Sequence, residues 1–326
     1  MKNFNYTRAT TIEDTVGTTQ AILIAGGTNL VDRMKVFLDQ PTQVIDISRL
    51  DLKKIESTEN GLRLGALVTN TQVADYPQVR QNYPILSRAI LAGASQQIRN
   101  VATVGGNLMQ RTRCPYYYDT AFGCNKRQPG SGCPAATGIN RMHAIFGASD
   151  KCVAVNPSDM CVALAALDAV VEVEGTEGRR QIPFSEFHRL PGNRPERDTV
   201  LEEGEIITAV ILPANINAKS GVYLKLRDRA SYSFALISVA AILDIDNNKI
   251  RNARIALGGV AHKPWRTQEA EQFLVGKAVD ETLFQQAADL ALRNAQPLEH
   301  NKFKVEMSKR AIRRALMVSA NGGGIA

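Results

Sequence analysis

The sequence predicts a mixed helix-and-strand (α+β) chain of two or three domains, and three observations carry that prediction. Up to residue 213, short β-like runs alternate with stretches of helical spacing. A composition break at Pro213–Ser220 (PANINAKS) then introduces three more strand-like runs followed by three helices. Within the first region, residues 111–151 lose all periodicity and gain cysteines. A chain of 326 residues is long enough to bury more than one core.

Phe4–Arg8 reads as a strand and the polar Thr11–Thr18 as a helix-like stretch. The apolar run Ala21–Ala25 reads as a buried strand ending at Gly26-Gly27-Thr28-Asn29, after which Leu30, Met34, Phe37 and Leu38 keep helical spacing. Gln43–Ile47 and Leu62–Leu67 read as strands and Pro84–Ala94 as a helix. Asn156-Pro157 opens a helix with Asp159 in its first turn, and Val170–Val173 is a strand. Beyond the break, Val222–Arg227, Phe234–Asp244 and Arg251–Val260 read as strands, and Gln268–Val275, Glu281–Arg293 and Phe303–Met317 as helices. The GGGIA tail is expected to fray. These signals divide the chain at 1–220 and 221–326.

Hydrophobic residues make up 44% and charged residues 22%, the balance of a soluble globular protein. The longest apolar run, Phe234–Leu243, is about half of a membrane span. The opening MKNFNYTRAT has no apolar core of an export signal, although a folded subunit can leave the cytoplasm on a partner that carries one. Net charge is +7, but without a run of five like charges or an aromatic-interleaved basic stripe, which argues against nucleic acid. Basic residues do gather at Arg111–Arg113 and Lys126–Arg127, beside cysteines.

Two glycine-bearing loops invite a phosphate. In Ala25–Asn29, glycines let the backbone approach a ligand closely, and amides with the Thr28 hydroxyl can hydrogen-bond it. The loop is neither a Rossmann fingerprint nor a P-loop, and a plain structural turn would use glycine too. The second segment, 94–108 (ASQQIRNVATVGGNL), gathers glycines, hydroxyls and amides without an apolar face to bury. Such groups suit a pyrophosphate or the edge of an isoalloxazine ring.

Cys114, Cys124, Cys133 and Cys152 are separated by nine, eight and eighteen residues, and Cys161 follows. Four thiolates can hold a [4Fe–4S] cluster or a structural zinc, or remain free. Zinc sites usually carry CxxC pairs, which are missing here, so the wide spacing on a Gly/Pro-rich loop favours a cluster. Arg111, Arg113, Lys126 and Arg127 would offset its negative charge. Cys161 lies in the apolar run Met160–Leu167 and reads as a small core residue.

AGGTNL (25–30), IRNVATVGGNL (98–108), NPSDMCVALAALDA (156–169) and GGVAHKPWR (258–266) resemble the FAD-binding subunit of xanthine dehydrogenase-type molybdenum hydroxylases, end to end. The segment 111–152 is similar to the cluster-bearing insertion that a few members carry, among them periplasmic aldehyde oxidoreductases of bacteria. The resemblance implies a two-lobed FAD-binding domain of the PCMH/vanillyl-alcohol-oxidase type, followed by a CO-dehydrogenase-flavoprotein-like domain of three strands and three helices. It implies FAD extended between the lobes, with Ala25, Gly26, Gly27, Thr28, Asn29, Leu30, Val31 and Asp32 at the pyrophosphate. Thr103, Gly105, Gly106 and Asn107 would form the second binding segment. Asp159 matches the family's acidic FAD contact, Lys225 a lysine near the flavin, and Met109 and Ile207 apolar residues flanking the ring.

The resemblance further implies that substrate is oxidised on a separate large molybdenum-cofactor subunit. A small subunit with two [2Fe–2S] clusters would carry electrons to FAD, and this chain would pass them to an external acceptor: NAD, ferredoxin, quinone or oxygen. Periplasmic location by co-export with a signal-bearing partner is expected. Two readings from other classes stand beside it: a stand-alone flavin oxidase of the same fold, and a zinc-stabilised binding module.

Overall fold

A computed structural model describes residues 1–323. The first lobe holds a parallel three-stranded sheet of β1 (Asn5–Arg8), β2 (Ala21–Ile24) and β3 (Gln43–Asp46), in the order β1-β3-β2. The second lobe is built on an antiparallel sheet of β4 (Ile55–Thr58), β5 (Gly61–Gly65), β6 (Val170–Gly175), β7 (Gly178–Pro183) and β8 (Ile206–Pro213), ordered β4-β5-β8-β6-β7. The central strand β8, IITAVILP, is buried along most of its length; its continuous apolar run is the signature of a strand covered on both faces.

The C-terminal sheet consists of β9 (Val222–Leu226), β10 (Ile237–Asp246), β11 (Lys249–Gly258) and β12 (Trp265–Arg266), ordered β12-β11-β10-β9 and all antiparallel. The sequence predicted three strands here; the fourth is a two-residue edge pairing that no periodicity can reveal. Helices Gln268–Leu274, Glu281–Leu292 and Phe303–Ala320 cover this sheet, as expected. Asp280 caps the second of them by accepting from the Leu283 amide at 3.0 Å. No helix among the described residues is long and apolar enough to cross a membrane.

The helix Asp159–Ala166 ties the parts together. Ser158 caps it by accepting from the Cys161 amide at 3.0 Å, and residues Met160–Ala166 are all buried. One side packs against helix Pro84–Ala92, the other against β10 and β11, where a Cβ on Gly258 would collide with Val162 and Ser238. Cys161 is fully buried here, a core residue as its setting predicted. Truncating Leu164, 1% exposed, would cost about 2–5 kcal/mol.

Three expectations change. Thr11–Thr18 is a series of turns, because the Asp14 carboxylate accepts from the Thr10 and Thr11 amides at 2.7 and 3.0 Å and closes a local loop instead of a helix. Segment 94–108 contains two short helices, Gln96–Arg99 and Val104–Leu108, capped by Ser95 and Thr103. At the chain end, the Gly323 carbonyl accepts from Arg88 at 2.5 Å; the rest of the expected frayed tail, 324–326, lies outside the described residues.

Candidate functional site: a flavin cleft and a four-cysteine cavity

A cleft of about 890 Å³ runs between the lobes and under the C-terminal sheet. Every residue that the resemblance assigned to FAD lines it, from Ala25–Asp32 through Thr103, Gly105, Gly106, Asn107 and Met109 to Asp159, Ile207 and Lys225. Arg99, Arg111, Arg113, Tyr232 and Phe234 also line it, and sequence reasoning did not single these out for the flavin. Met109 and Phe234 are 43% exposed, whereas Ile207 is buried in the wall.

The two loops touch. A Cβ on Gly26 would run into the Val101 carbonyl, with the carbonyl carbon at 2.8 Å, so only glycine fits this crossing. Gly27 has φ +70°, the left-handed region that glycine enters freely. Thr103 turns the second loop by accepting from the Gly106 amide at 3.2 Å. Asn29 accepts from the Arg111 amide at 3.0 Å and from Arg33 at 2.9 Å, which binds the first loop to the start of the cysteine segment. Asn29 Nδ2 and Asn70 Oδ1 are buried on the cleft wall without partners. Unpaired buried polar atoms are costly, and a polar ligand in the cleft would satisfy them. The size, the glycine crossing and these atoms fit an extended dinucleotide such as FAD.

Asp159 and Lys225 meet each other at 2.8 Å, with side chains only 9% and 4% exposed. The Tyr223 hydroxyl donates to the other Asp159 oxygen at 2.6 Å, and Lys225 donates to the Ala92 carbonyl at 3.1 Å. Burial beside the Asp159 charge holds the Tyr223 hydroxyl well above its usual pKa, so it remains a donor. The resemblance offered Asp159 as an acidic FAD contact and Lys225 as a lysine near the flavin; in the structure they form one buried network.

The cysteine segment begins where the cleft ends. Cys114, Cys124, Cys133 and Cys152 line a single small cavity with Thr112, Tyr116, Tyr117 and Lys126, and no carboxylate lines it. Among the described residues, no three His, Cys, Asp or Glu side chains are drawn together tightly enough to form a ready-made metal site. All five cysteines are free of disulfides. Cys133 and Cys152 titrate together: their interaction lowers the Cys133 pKa, while the same interaction and burial raise that of Cys152. Burial raises Cys114 to about 11.

This segment holds its shape with side-chain-to-backbone bonds rather than regular structure. Asn125 Oδ1 accepts from the Gly130 and Gly132 amides at 3.1 and 2.8 Å, and its Nδ2 donates to the Lys151 carbonyl at 2.9 Å. Arg127 donates to the Tyr117 carbonyl at 2.6 Å. Lys126, almost wholly buried, pairs with Asp198 and donates to the Pro195 carbonyl at 2.6 Å. Arg111 lies 2.7 Å from the same carboxylate, a coulombic contact whose N–H is not aimed at the oxygen. The segment's end enters the C-terminal core: Ile145 and Phe146 donate to the Val260 carbonyl at 2.9 and 3.0 Å, and Phe146 stacks on Trp265 at 4.9 Å.

His143 was missed by sequence reasoning. Its Nε2 lies 3.1 Å from Cys114 Sγ, and its carbonyl accepts from Lys304 at 2.9 Å and from Asn301 at 3.1 Å. Burial and the Lys304 charge lower its pKa to about 4, which leaves the ring neutral at pH 7.

The comparisons with known proteins agree with this geometry. Residues 2–215 match the family model described as the FAD binding domain in molybdopterin dehydrogenase, and 222–318 the CO dehydrogenase flavoprotein C-terminal domain. The chain is 49% identical to the aldehyde oxidoreductase FAD-binding subunit PaoB of Escherichia coli (strain K12), over 97% of this chain and 98% of that one. It is 28% identical to the carbon monoxide dehydrogenase medium chain of Hydrogenophaga pseudoflava, over 91% and 88% of the two chains. Among solved structures, quinoline 2-oxidoreductase from Pseudomonas putida 86 superposes with a TM-score of 0.76 at 25% identity, covering 99% of this chain and 98% of that one. With both family models matched in sequence order and the cleft between the lobes, the chain belongs to the FAD-binding medium subunits of the xanthine dehydrogenase-type molybdenum hydroxylases.

Proposed function

We propose that this chain is the electron-transfer subunit of a heterotrimeric molybdenum aldehyde oxidoreductase, and that it carries a [4Fe–4S] cluster beside its FAD. The observation that carries the cluster is the convergence of Cys114, Cys124, Cys133 and Cys152 on one cavity that holds a buried lysine and no carboxylate. Four thiols with nearby cations suit an anionic cluster; a catalytic zinc site would more often recruit histidine or a carboxylate. The chain would receive electrons from a small [2Fe–2S] subunit, which takes them from a large molybdenum-cofactor subunit where aldehyde is oxidised, and would pass them to an external acceptor. Its location would be the periplasm, reached by co-export with a signal-bearing partner.

In this reading the residues bind and shield rather than react. Ala25–Asp32 and Thr103–Asn107 offer amides and hydroxyls to the pyrophosphate, while Met109 and Ile207 flank the ring. Asp159, Lys225 and Tyr223 form a fixed polar wall whose protons are already committed to one another. Bound FAD supplies one- and two-electron exchange, which the surrounding burial and charge tune.

The test is to produce the chain anaerobically and measure its absorption spectrum with flavin, iron, sulfide and zinc content. Flavin with about four irons per chain supports the reading. Flavin without iron removes the cluster, and zinc without iron or flavin colour replaces the reading with a zinc-stabilised module.

A further inference from the structure

We propose that His143 is a positioning residue for the cluster, its Nε2–H donating to Cys114 Sγ and so setting the cluster's reduction potential. This rests on the cluster reading above. The geometry is specific. His143 is 2% exposed, and its Nε2 sits 3.1 Å from the sulfur. Among the described residues Nδ1 makes no hydrogen bond, and the Asn140 backbone is a further polar neighbour of the ring. A neutral imidazole has one N–H, and a ligating thiolate is an acceptor, which puts the proton on Nε2.

Burial confines the ring, and its backbone is pinned from the C-terminal domain. Asn301 and Lys304, both wholly buried, donate to the His143 carbonyl, and Lys304 also donates to Gly259 at 2.7 Å. Cys114 also borders the cleft proposed for the flavin. It and His143 line a chamber of about 120 Å³ whose walls include Arg113, Asp159 and Phe234, and these three line the flavin cleft as well. The hydrogen bond therefore acts on a cysteine whose chamber shares walls with the flavin cleft.

An N–H aimed at a ligand sulfur withdraws charge from the cluster and strengthens when an electron is added. It favours the reduced form, so its loss lowers the reduction potential. The experiment uses the full chain, purified anaerobically, as wild type, His143→Leu and His143→Gln. Iron and flavin are counted first, then the cluster is titrated by electron paramagnetic resonance against a series of redox mediators. The expected result is full iron in all three and a cluster potential shifted to lower values in His143→Leu. His143→Gln, whose amide N–H can reach the same sulfur, recovers much of the shift, and the flavin potential stays put. An unshifted potential in His143→Leu overturns the proposal, as does loss of iron in both variants, which would make His143 a support of the loop. A wild-type chain without iron overturns the cluster reading itself, before any variant is examined.

Discussion

Replacing Lys225 with Met tests the buried network directly. The methionine side chain follows the lysine stem but removes the ammonium, leaving Asp159 with its carboxylate 9% exposed and only the Tyr223 hydroxyl, at 2.6 Å, for support. An exposed ion pair contributes little, but stranding one partner of a buried pair costs about 3–5 kcal/mol. That is a large fraction of the roughly 5–15 kcal/mol by which folded domains exceed their unfolded state. In the double variant Lys225→Met/Asp159→Asn both charges leave together, and the asparagine oxygen can still accept from Tyr223. Its loss should fall to about 1–2 kcal/mol, giving a coupling energy of at least about 2 kcal/mol. The assay is urea unfolding of the flavin-free chain for wild type, both single variants and the double. A Lys225→Met unfolding free energy within about 0.5 kcal/mol of wild type, or single-variant costs that simply add in the double, would show that the pair contributes no coupling.

Gly26→Ala should weaken FAD binding by about 10- to 100-fold, read by fluorescence titration of the flavin-free chain, because its Cβ must push the Val101 carbonyl and separate the two loops. Cys114→Ser should abolish iron binding while Cys161→Ser, buried in the helix core, leaves iron content unchanged in metal analysis. His262 is buried near Lys126, Asp198 and His143, and burial lowers its pKa from 6.5 to about 3. Its contribution to stability is thus complete above pH 6.5 and is lost as the pH falls towards 3, because the unfolded chain takes up a proton that the folded one refuses. His262→Gln should flatten the acid side of the stability curve by up to about 1.4 kcal/mol per pH unit, measured as urea midpoints at pH 7 and below 6.

What the sequence revealed was local, and what it hid was distant. The double-glycine turn after β2, the capped start at Ser158-Asp159 and the sequence of strands then helices beyond Ser220 are written in neighbouring residues. The four cysteines were legible as a group because a Gly/Pro-rich loop isolates them. The strand β8 escaped notice because a strand buried on both faces shows no alternation, and the edge strand β7, paired with β6, is exposed along most of its length. The pairing of Lys225 with Asp159 spans 66 residues, and that of His143 with Cys114 spans 29. Neither has a spacing rule. The docking of Ile145 and Phe146 into the C-terminal core also has no local signal, so the segment read as part of the first domain is shared between two.

Anaerobic flavin bleaching shows whether this chain only relays electrons that it does not itself draw from substrate. Aldehyde is added to the flavin-loaded chain alone, then to the same chain with the small and large subunits present, and the flavin absorbance is followed in each. The flavin should stay oxidised in the isolated chain and bleach only when the partners are added. Bleaching in the isolated chain would contradict it and identify a self-sufficient flavin oxidase.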